Sequence, residues 1–228
     1  IKMKNGDTIL LHQNHIIEPI ETFHYRWEDF AMNTADELQA LVDHIERDIA
    51  HDATVNIYLP PITYEGGLDM EARPFNLYGS VDGENRTTFT DTVRLTTQYW
   101  GLSFFRNIDF TGDGTGVGIS ATAGLHIIDC TFTGWKTAVL GYAKAWVNIA
   151  NSQFVNNGIG FHFNSTGDSV THTLYTANQF MDNEIAILLE NVPRDVTMDF
   201  GECLFSGNDT DIDNPCDQPI DISAAIFE

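Results

Sequence analysis

The chain is poor in basic residues and contains no long apolar run. Only 11 of its 228 residues are Lys or Arg, against 33 Asp and Glu, and the formal net charge is -22 at pH 7. Nucleic acids and anionic membranes bind through Lys and Arg that neutralise phosphate, so we expect no nucleic-acid partner. No segment approaches the roughly 18 apolar residues of a membrane span, and we expect no membrane insertion. Polyuronate chains would also be repelled unless calcium bridged the two sets of carboxylates.

Cysteine is scarce as well, and its spacing excludes common small-domain devices. Cys130, Cys203 and Cys216 are too few and too irregularly spaced for a disulfide framework or a zinc site. We expect Cys130 and Cys203 to be buried thiols, whereas a Cys203–Cys216 pair at the C-terminal end stays open. Because the chain starts at Ile1 rather than Met, we expect it to have been trimmed, so that a lost signal peptide would not be visible. At 25.5 kDa it can bury a full core without such devices.

The sequence instead contains a repeat that is centred on phenylalanine. Five segments end on this residue: SFFRNIDF (Phe110), LHIIDCTF (Phe132), VNIANSQF (Phe154), TLYTANQF (Phe180) and MDFGECLF (Phe205). The spacings between successive Phe residues are 22, 22, 26 and 25. Such a period is typical of solenoids, in which each unit buries its apolar face against its neighbours.

Each repeat shows the same alternation of apolar and polar positions. Five residues before each Phe stand large apolar side chains: Phe105, Ile127, Ile149, Tyr175 and Phe200. Three before stand residues that we assign to a bend, where Asn and Asp tolerate left-handed backbone: Asn107, Asp129, Asn151, Ala177 and Glu202. Turn residues follow each Phe, and a third strand follows the turn. In this third strand we predict that the residues five and seven positions after the Phe face inward.

These rows predict an all-β fold, a parallel β-helix of about 6–7 three-strand coils. A string of antiparallel hairpins would not keep the inward rows in phase over units of 22 to 26 residues. A leucine-rich repeat is the other solenoid considered, but neither its Leu-x-x-Leu-x-Leu phasing nor its asparagine ladder is recognised in the sequence. The amphipathic pattern after Thr34-Ala-Asp-Glu37 predicts a helix at 34–50 that caps the first coil. We assign 33–228 to the β-helix domain and 1–32 to an extension that packs on it or leads in from another domain.

The N-terminal half resembles the opening of pectate-lyase-like β-helix proteins. The resemblance rests on the order of a helix, a strand ending in Leu-Pro-Pro, then Thr-Tyr-Glu-Gly and Phe-Asn-Leu-Tyr-Gly, together with the Asn-bearing bend of each coil. It covers roughly residues 33–215 and implies a right-handed parallel β-helix with a secreted or cell-surface location. It implies no single activity, because the superfamily includes lyases, hydrolases, tailspikes, adhesins and modules without catalysis.

By this resemblance, catalysis would take place on the sheet formed by the third strands. The residues predicted to face outward there, six positions after each Phe, are small until the last coil: Gly116, Ala138, Gly160, Ala186 and Asp211. A second row is predicted to face outward eight positions after each Phe: Gly118, Leu140, His162, Leu188 and Asp213. Proton abstraction beside a carboxylate needs a cation or metal, and glycoside cleavage needs two carboxyls. Neither set appears on this face, and we interpret Gly116, Ala138, Gly160 and Ala186 as a surface for self-association or domain packing.

Two groups of residues remain as candidate sites. Trp135, Tyr142, Trp146 and His162 edge or occupy the same face and are candidates for binding a polysaccharide, although the rings also suit a role in covering coil edges. Asp209, Asp211 and Asp213 alternate as in calcium loops but lack the Gly and Glu of an EF-hand. We expect no cofactor other than an optional Ca²⁺, and the catalytic residues are unknown.

Three functions therefore stay open. The sequence favours a non-catalytic β-helix module that binds polysaccharide or acts as a spacer or adhesive domain. The alternatives are a polysaccharide lyase or glycoside hydrolase with an atypical site, and a self-assembling structural module.

Overall fold

The protein folds as an all-β parallel solenoid of about 7 turns with one helix near its N-terminal end. The computed structural model describes residues 20–96, 101–167, 173–193 and 196–228. The predicted all-β parallel solenoid with an N-terminal helix is thereby confirmed, and its right-handed winding stays a prediction. Residues 1–19 of the predicted N-terminal extension lie outside the described residues.

Three parallel sheets run along the solenoid, and we number them by their order in each coil. Sheet 1 precedes the left-handed bend and contains Thr22–Arg26, Thr54–Tyr58, Asn76–Tyr78, Leu102–Arg106, Gly124–Ile128 and Val147–Ala150. Sheet 2 carries the Phe row and contains Thr63–Tyr64, Thr88–Phe89, Asp109–Thr111, Thr131–Thr133, Gln153–Val155, Gln179–Met181, Leu204–Ser206 and Ile226–Phe227. Sheet 3 follows the Phe turn and contains Leu68–Met70, Val93–Leu95, Val117–Ala121, Thr137–Ala143, Ile159–Ser165, Ile185–Asn191 and Thr210–Asp213. Two short pairs complete the strands of the described residues: Met198–Asp199 pairs with Ile220–Asp221 in parallel, and Val81–Asp82 pairs with Asn85–Arg86 in antiparallel.

The repeated phenylalanines form one continuous stack inside sheet 2. Phe132 and Phe154 stack with ring centroids 4.9 Å apart and planes inclined by 7°. The stack reaches beyond the five predicted rings, to Tyr64 and Phe89 at one end and Phe227 at the other. Each coil therefore contributes one ring to a column of offset-stacked aromatics, which fixes the register between coils.

The predicted bend residues all adopt the left-handed backbone conformation. Their φ angles are 57° (Asn107), 56° (Asp129), 51° (Asn151), 56° (Ala177) and 60° (Glu202). This conformation turns the chain sharply from sheet 1 into sheet 2, and Asn and Asp adopt it at lower cost than other non-glycine residues.

Contrary to the expectation from the sequence, a ladder of asparagines (Asn157, Asn183 and Asn208) supports the turn after the Phe row. Asn183 Nδ2 donates to Asn208 Oδ1 at 2.9 Å and to the carbonyl oxygen of Phe154 at 3.0 Å. Its own Oδ1 accepts from the backbone N–H and from Nδ2 of Asn157, at 3.0 and 2.9 Å. Side chains thus satisfy backbone groups that the tight turns leave without ladder partners.

The helix Ala35–Asp48 confirms the one predicted at 34–50. Thr34 is its N-cap and accepts from the Glu37 backbone N–H at 3.2 Å. The apolar face of the helix packs into the core through Leu38, Leu41, Val42 and Ile45.

The helix also covers the edge strand of sheet 3. The Gln39 amide donates to the carbonyl oxygen of Asp69 at 2.9 Å and accepts from the Asp69 N–H at 2.8 Å. Glu46 accepts from the backbone N–H groups of Glu71 and Ala72. These side chains occupy the hydrogen-bonding groups that an open edge would offer to another strand.

The described part of the N-terminal extension contributes a strand to the solenoid. Thr22–Arg26 pairs in parallel with Thr54–Tyr58 as the first strand of sheet 1. Tyr25 is buried, and its ring lies 4.9 Å from that of Phe30.

One predicted row of sheet 3 is placed on the wrong face. Ala138 and Ala186, expected to face outward, have no exposed surface and belong to the hydrophobic core. A Cβ added at Gly160 would lie 3.4 Å from Cβ of Phe154, so this position points at the aromatic stack. The same Cβ would lie 2.6 Å from the carbonyl oxygen of Ala186, which explains why the position is small. This row does not form the docking or self-association surface that was predicted from it.

Gly116 is not a member of that row. Val117, seven residues after its own Phe, pairs with Thr137, which comes five after its Phe. The longer first loop places Gly118 beside Ala138 and leaves the exposed Gly116 before the strand, with φ +67°.

The predicted inward positions of sheet 3 are half right. Val139, Phe161 and Ile187, seven after the Phe, are fully buried as predicted. Thr137, five after, is buried as well. Ile159 and Ile185, five after, and Val117 and Ile212, seven after, are partly exposed. Strict alternation fails because the small residue between these positions also turns toward the core.

All three cysteines carry thiols, and no disulfide joins Cys203 to Cys216. The Cys203 Sγ donates to the carbonyl oxygen of Tyr175 at 2.7 Å. Burial raises the pKa of the Cys130 thiol to about 12 and that of Cys203 to about 11. The prediction that Cys130 and Cys203 are buried thiols is confirmed.

Candidate functional site

The outer face of sheet 3 presents one column of side chains from end to end of the solenoid. In register, the column reads Asp69, Arg94, Ser120, Leu140, His162, Leu188 and Asp213. Leu140, His162 and Leu188 are partly exposed, as predicted for this row, while Ser120 takes the place predicted for Gly118. An ion pair of 3.1 Å joins Arg94 and Asp69 at the N-terminal end.

A hydrogen-bonded polar cluster surrounds His162 on this face. His162 Nε2 lies 2.8 Å from Glu190 Oε2, and Asn164 Nδ2 donates to the same oxygen at 2.7 Å. Asn191 Nδ2 donates in turn to Asn164 Oδ1 at 2.6 Å. The His162 side chain is 18% exposed and that of Glu190 is 47% exposed. We call these four residues the His162 cluster.

The cluster leaves two acceptors for a ligand. If Nε2 of His162 carries the proton that is donated to Glu190, its Nδ1 is an acceptor. Among the described residues, Glu190 Oε1 receives no hydrogen bond. Both atoms belong to side chains that are fixed by neighbours, so a ligand hydroxyl would meet a preorganised set of groups.

An irregularity in strand pairing brings Glu190 into the cluster. Phe163 pairs with Leu189, but Asn164 pairs with Asn191, so Glu190 is the extra residue of a β-bulge. Bulges redirect side chains locally. Both Glu190 and Asn191 are thereby brought within reach of Asn164.

Sequence reasoning missed Asn164, Glu190 and Asn191, although a signal for two of them was present. Tyr142, Asn164 and Glu190 each stand ten residues after the Phe of their own coil. Continuing the outward alternation by one more step would have found this row. Asn191 lies outside the row, and only the bulge accounts for its position.

Of the four predicted ligand-binding residues, His162 belongs to the cluster and Tyr142 lies beside it. Tyr142 is half-buried, and its Cα pairs with that of Asn164 in the neighbouring strand. Leu140 and Leu188 lie on either side of His162. The polar centre is therefore bordered by an aromatic ring and two aliphatic side chains, a combination that is common in ligand sites.

The other two predicted ligand-binding residues, both tryptophans, lie elsewhere. Trp135 is only 4% exposed, and its ring covers the loop at Gly112, where an added Cβ would lie 2.6 Å from the indole Cδ2. Trp146 packs edge-on against Phe163 at 5.0 Å and donates to Asn148 Oδ1, beside sheet 1. These positions favour a role in covering coil edges.

The three aspartates of the last coil do not share one face. By register Asp211 continues the core-facing row of Ala186, and Asp213 continues the outward column of Leu188. Asp211 also accepts from Asn208 Nδ2 at 3.0 Å. Within the described ranges no group of three or more His, Cys, Asp or Glu is arranged to hold a metal ion. The calcium site stays a prediction.

Comparisons with family models, with curated proteins and with solved structures give no match. In the part of the chain that the structure describes, no helix is long and apolar enough to cross a membrane.

Proposed function

We propose that the protein is a secreted or surface-displayed carbohydrate-binding module of the pectate-lyase-like β-helix superfamily, and that it binds a neutral glycan on sheet 3. The observation that carries this proposal is the His162 cluster. Fixed amide, imidazole and carboxylate groups beside an aromatic ring can hydrogen-bond to sugar hydroxyls.

A neutral ligand is favoured by the charge of the face. Glu190 is half-exposed and offers an oxygen without a protein donor. An anionic sugar would place its own carboxylate near this group, within a protein of net charge -22. Like charges at short range disfavour binding, whereas hydroxyl groups donate to the carboxylate.

Titration calorimetry with neutral polysaccharides (dextran, galactomannan and xyloglucan) tests the proposal. We expect at least one to bind, and Asn164→Leu to weaken binding about two- to tenfold, as for the loss of one or two hydrogen bonds. Asn85→Leu, in the exposed hairpin beside sheet 2, is the matched control and should bind as the wild type does. Equal losses in the two variants, or no binding by any member of the panel, would contradict the proposal.

A carbohydrate-active enzyme is the second candidate. The observation that favours it is the 2.8 Å contact between His162 and Glu190, because a carboxylate that orients a histidine is the arrangement of many general bases. The cluster supplies one carboxylate, whereas glycoside hydrolysis commonly uses two. Incubation with neutral and acidic polysaccharides, with and without calcium, distinguishes the two functions. Release of reducing or unsaturated ends that His162→Gln abolishes would replace the binding module by an enzyme.

A further inference from the structure

The outer face of sheet 1 differs in charge from the rest of the protein. Although 33 of the 228 residues are acidic, none of the residues in the six strands of this sheet is Asp or Glu. The same strands contain Arg26 and Arg106. In contrast, the strands of sheet 3 include Asp69, Glu190 and the last-coil aspartates.

The two arginines belong to one column of that face. Arg26 pairs with Tyr58, Tyr58 with Tyr78, and Tyr78 with Arg106. The Arg26 guanidinium lies 4.2 Å above the Tyr58 ring, which stacks on the Tyr78 ring at 5.0 Å. We call these four residues the Arg–Tyr strip. With strands about 4.8 Å apart, its two arginines are about 14 Å apart at their Cα atoms.

The charges of the strip are available to a ligand. Within the described residues neither Arg26 nor Arg106 forms an ion pair, and both side chains are exposed. The other exposed arginines of the described chain differ in this respect, since Arg47 pairs with Asp48 and Arg94 with Asp69. Unpaired guanidinium groups are strong donors to carboxylate and sulfate oxygens.

Neighbouring side chains hold the strip in place and add donors. Asn56 Oδ1 accepts from Asn76 Nδ2 at 3.0 Å and from the Tyr78 hydroxyl at 3.4 Å. His24 stacks on Tyr58 and lies 3.3 Å from its hydroxyl. Because each ring is fixed by a neighbour, little conformational entropy is lost when a ligand binds.

We infer that the Arg–Tyr strip binds an acidic polysaccharide whose carboxylates are sparse along the chain. Arg26 and Arg106 would each take one anionic group, and the tyrosine edges would face the uncharged sugars between them. A dense polyanion fits less well, because Glu28, Asp29 and Asp129 lie at the bends beside the sheet. The net charge of -22 disfavours nucleic acid for the same reason. The strip is on another sheet than the His162 cluster, so the inference does not depend on the proposed function.

Titration of the whole chain with four probes tests the inference: gellan as a sparsely carboxylated chain, polygalacturonate as a dense one, dextran as a neutral one, and single-stranded DNA. We expect gellan to bind most tightly, and its binding to weaken with added salt. Arg26→Gln and Arg106→Gln should each weaken it about tenfold or more, as for the loss of a charge-assisted contact. Arg94→Gln, an exposed arginine on sheet 3, is the control and should leave gellan binding unchanged.

Three outcomes would overturn the inference. The first is no binding of gellan, and the second is gellan binding that neither Arg26→Gln nor Arg106→Gln weakens while circular dichroism shows both variants folded. The third is tighter binding of DNA or polygalacturonate than of gellan. If a neutral glycan still binds in any of these cases and Asn164→Leu still weakens it, the proposed function stands and only this inference fails.

Discussion

The aromatic stack allows the same substitution to be compared at its centre and at its end. Phe154 has no exposed surface and stacks on two rings, Phe132 at 4.9 Å and Phe180 at 4.8 Å. Phe227 is 46% exposed and stacks on one ring, that of Phe205, at 5.0 Å. We predict that Phe154→Leu destabilises the protein at least twice as much as Phe227→Leu.

The magnitude follows from the number of ring pairs that are lost. One aromatic pair contributes about 0.5–1.5 kcal/mol beyond its buried area, so Phe154→Leu loses about 1–3 kcal/mol from stacking and Phe227→Leu about half of that. The change in shape at the buried centre adds to the first value, since a packed core relaxes only in part. At the exposed end, contacts with water replace much of the packing that Phe227→Leu removes.

Equilibrium urea unfolding followed by far-UV circular dichroism measures both losses. The free energy of unfolding comes from the midpoint and slope, and an unchanged slope shows that the unfolding unit is the same in each variant. In a solenoid the terminal coil can fray by itself, so a lower slope for Phe227→Leu would report local rather than global unfolding. Equal losses in the two variants would refute the idea that the stack holds the coils together.

Two further predictions concern buried polar groups. In the folded protein at pH 8, a thiol reagent should modify only Cys216 of the three cysteines. Burial raises the pKa of Cys130 to about 12 and that of Cys203 to about 11, so both stay protonated thiols. Rapid reaction of all three cysteines would contradict this prediction. Asn183→Leu should cost about 2–4 kcal/mol in urea unfolding, because it leaves a buried N–H and a buried carbonyl without partners. Asn208→Leu removes a similar set of hydrogen bonds, but at a half-exposed position where water can replace the lost partners. A loss of unfolding free energy as large as that of Asn183→Leu would refute the explanation.

The sequence determined the coil, because the period, the bend and the core are local features of each repeat. Phe110 and its equivalents recur once in each coil and mark sheet 2, and Asn107 and its equivalents mark the left-handed bend. The cap at Thr34 and the apolar stripe after it likewise place the helix. These features depend on a few consecutive residues, so a pattern reveals them without knowledge of the neighbours.

Only the tertiary structure decided which residues meet across coils. The bulge that brings Glu190 to His162 changes the pairing of two strands, and no count along one strand contains that change. The inward position of Gly160 depends on the aromatic stack beneath it. The column that joins Arg26 to Arg106 depends on the register of four strands whose coils differ in length. Such surfaces arise from contacts between residues far apart in sequence, and the packing of one coil on the next fixes them.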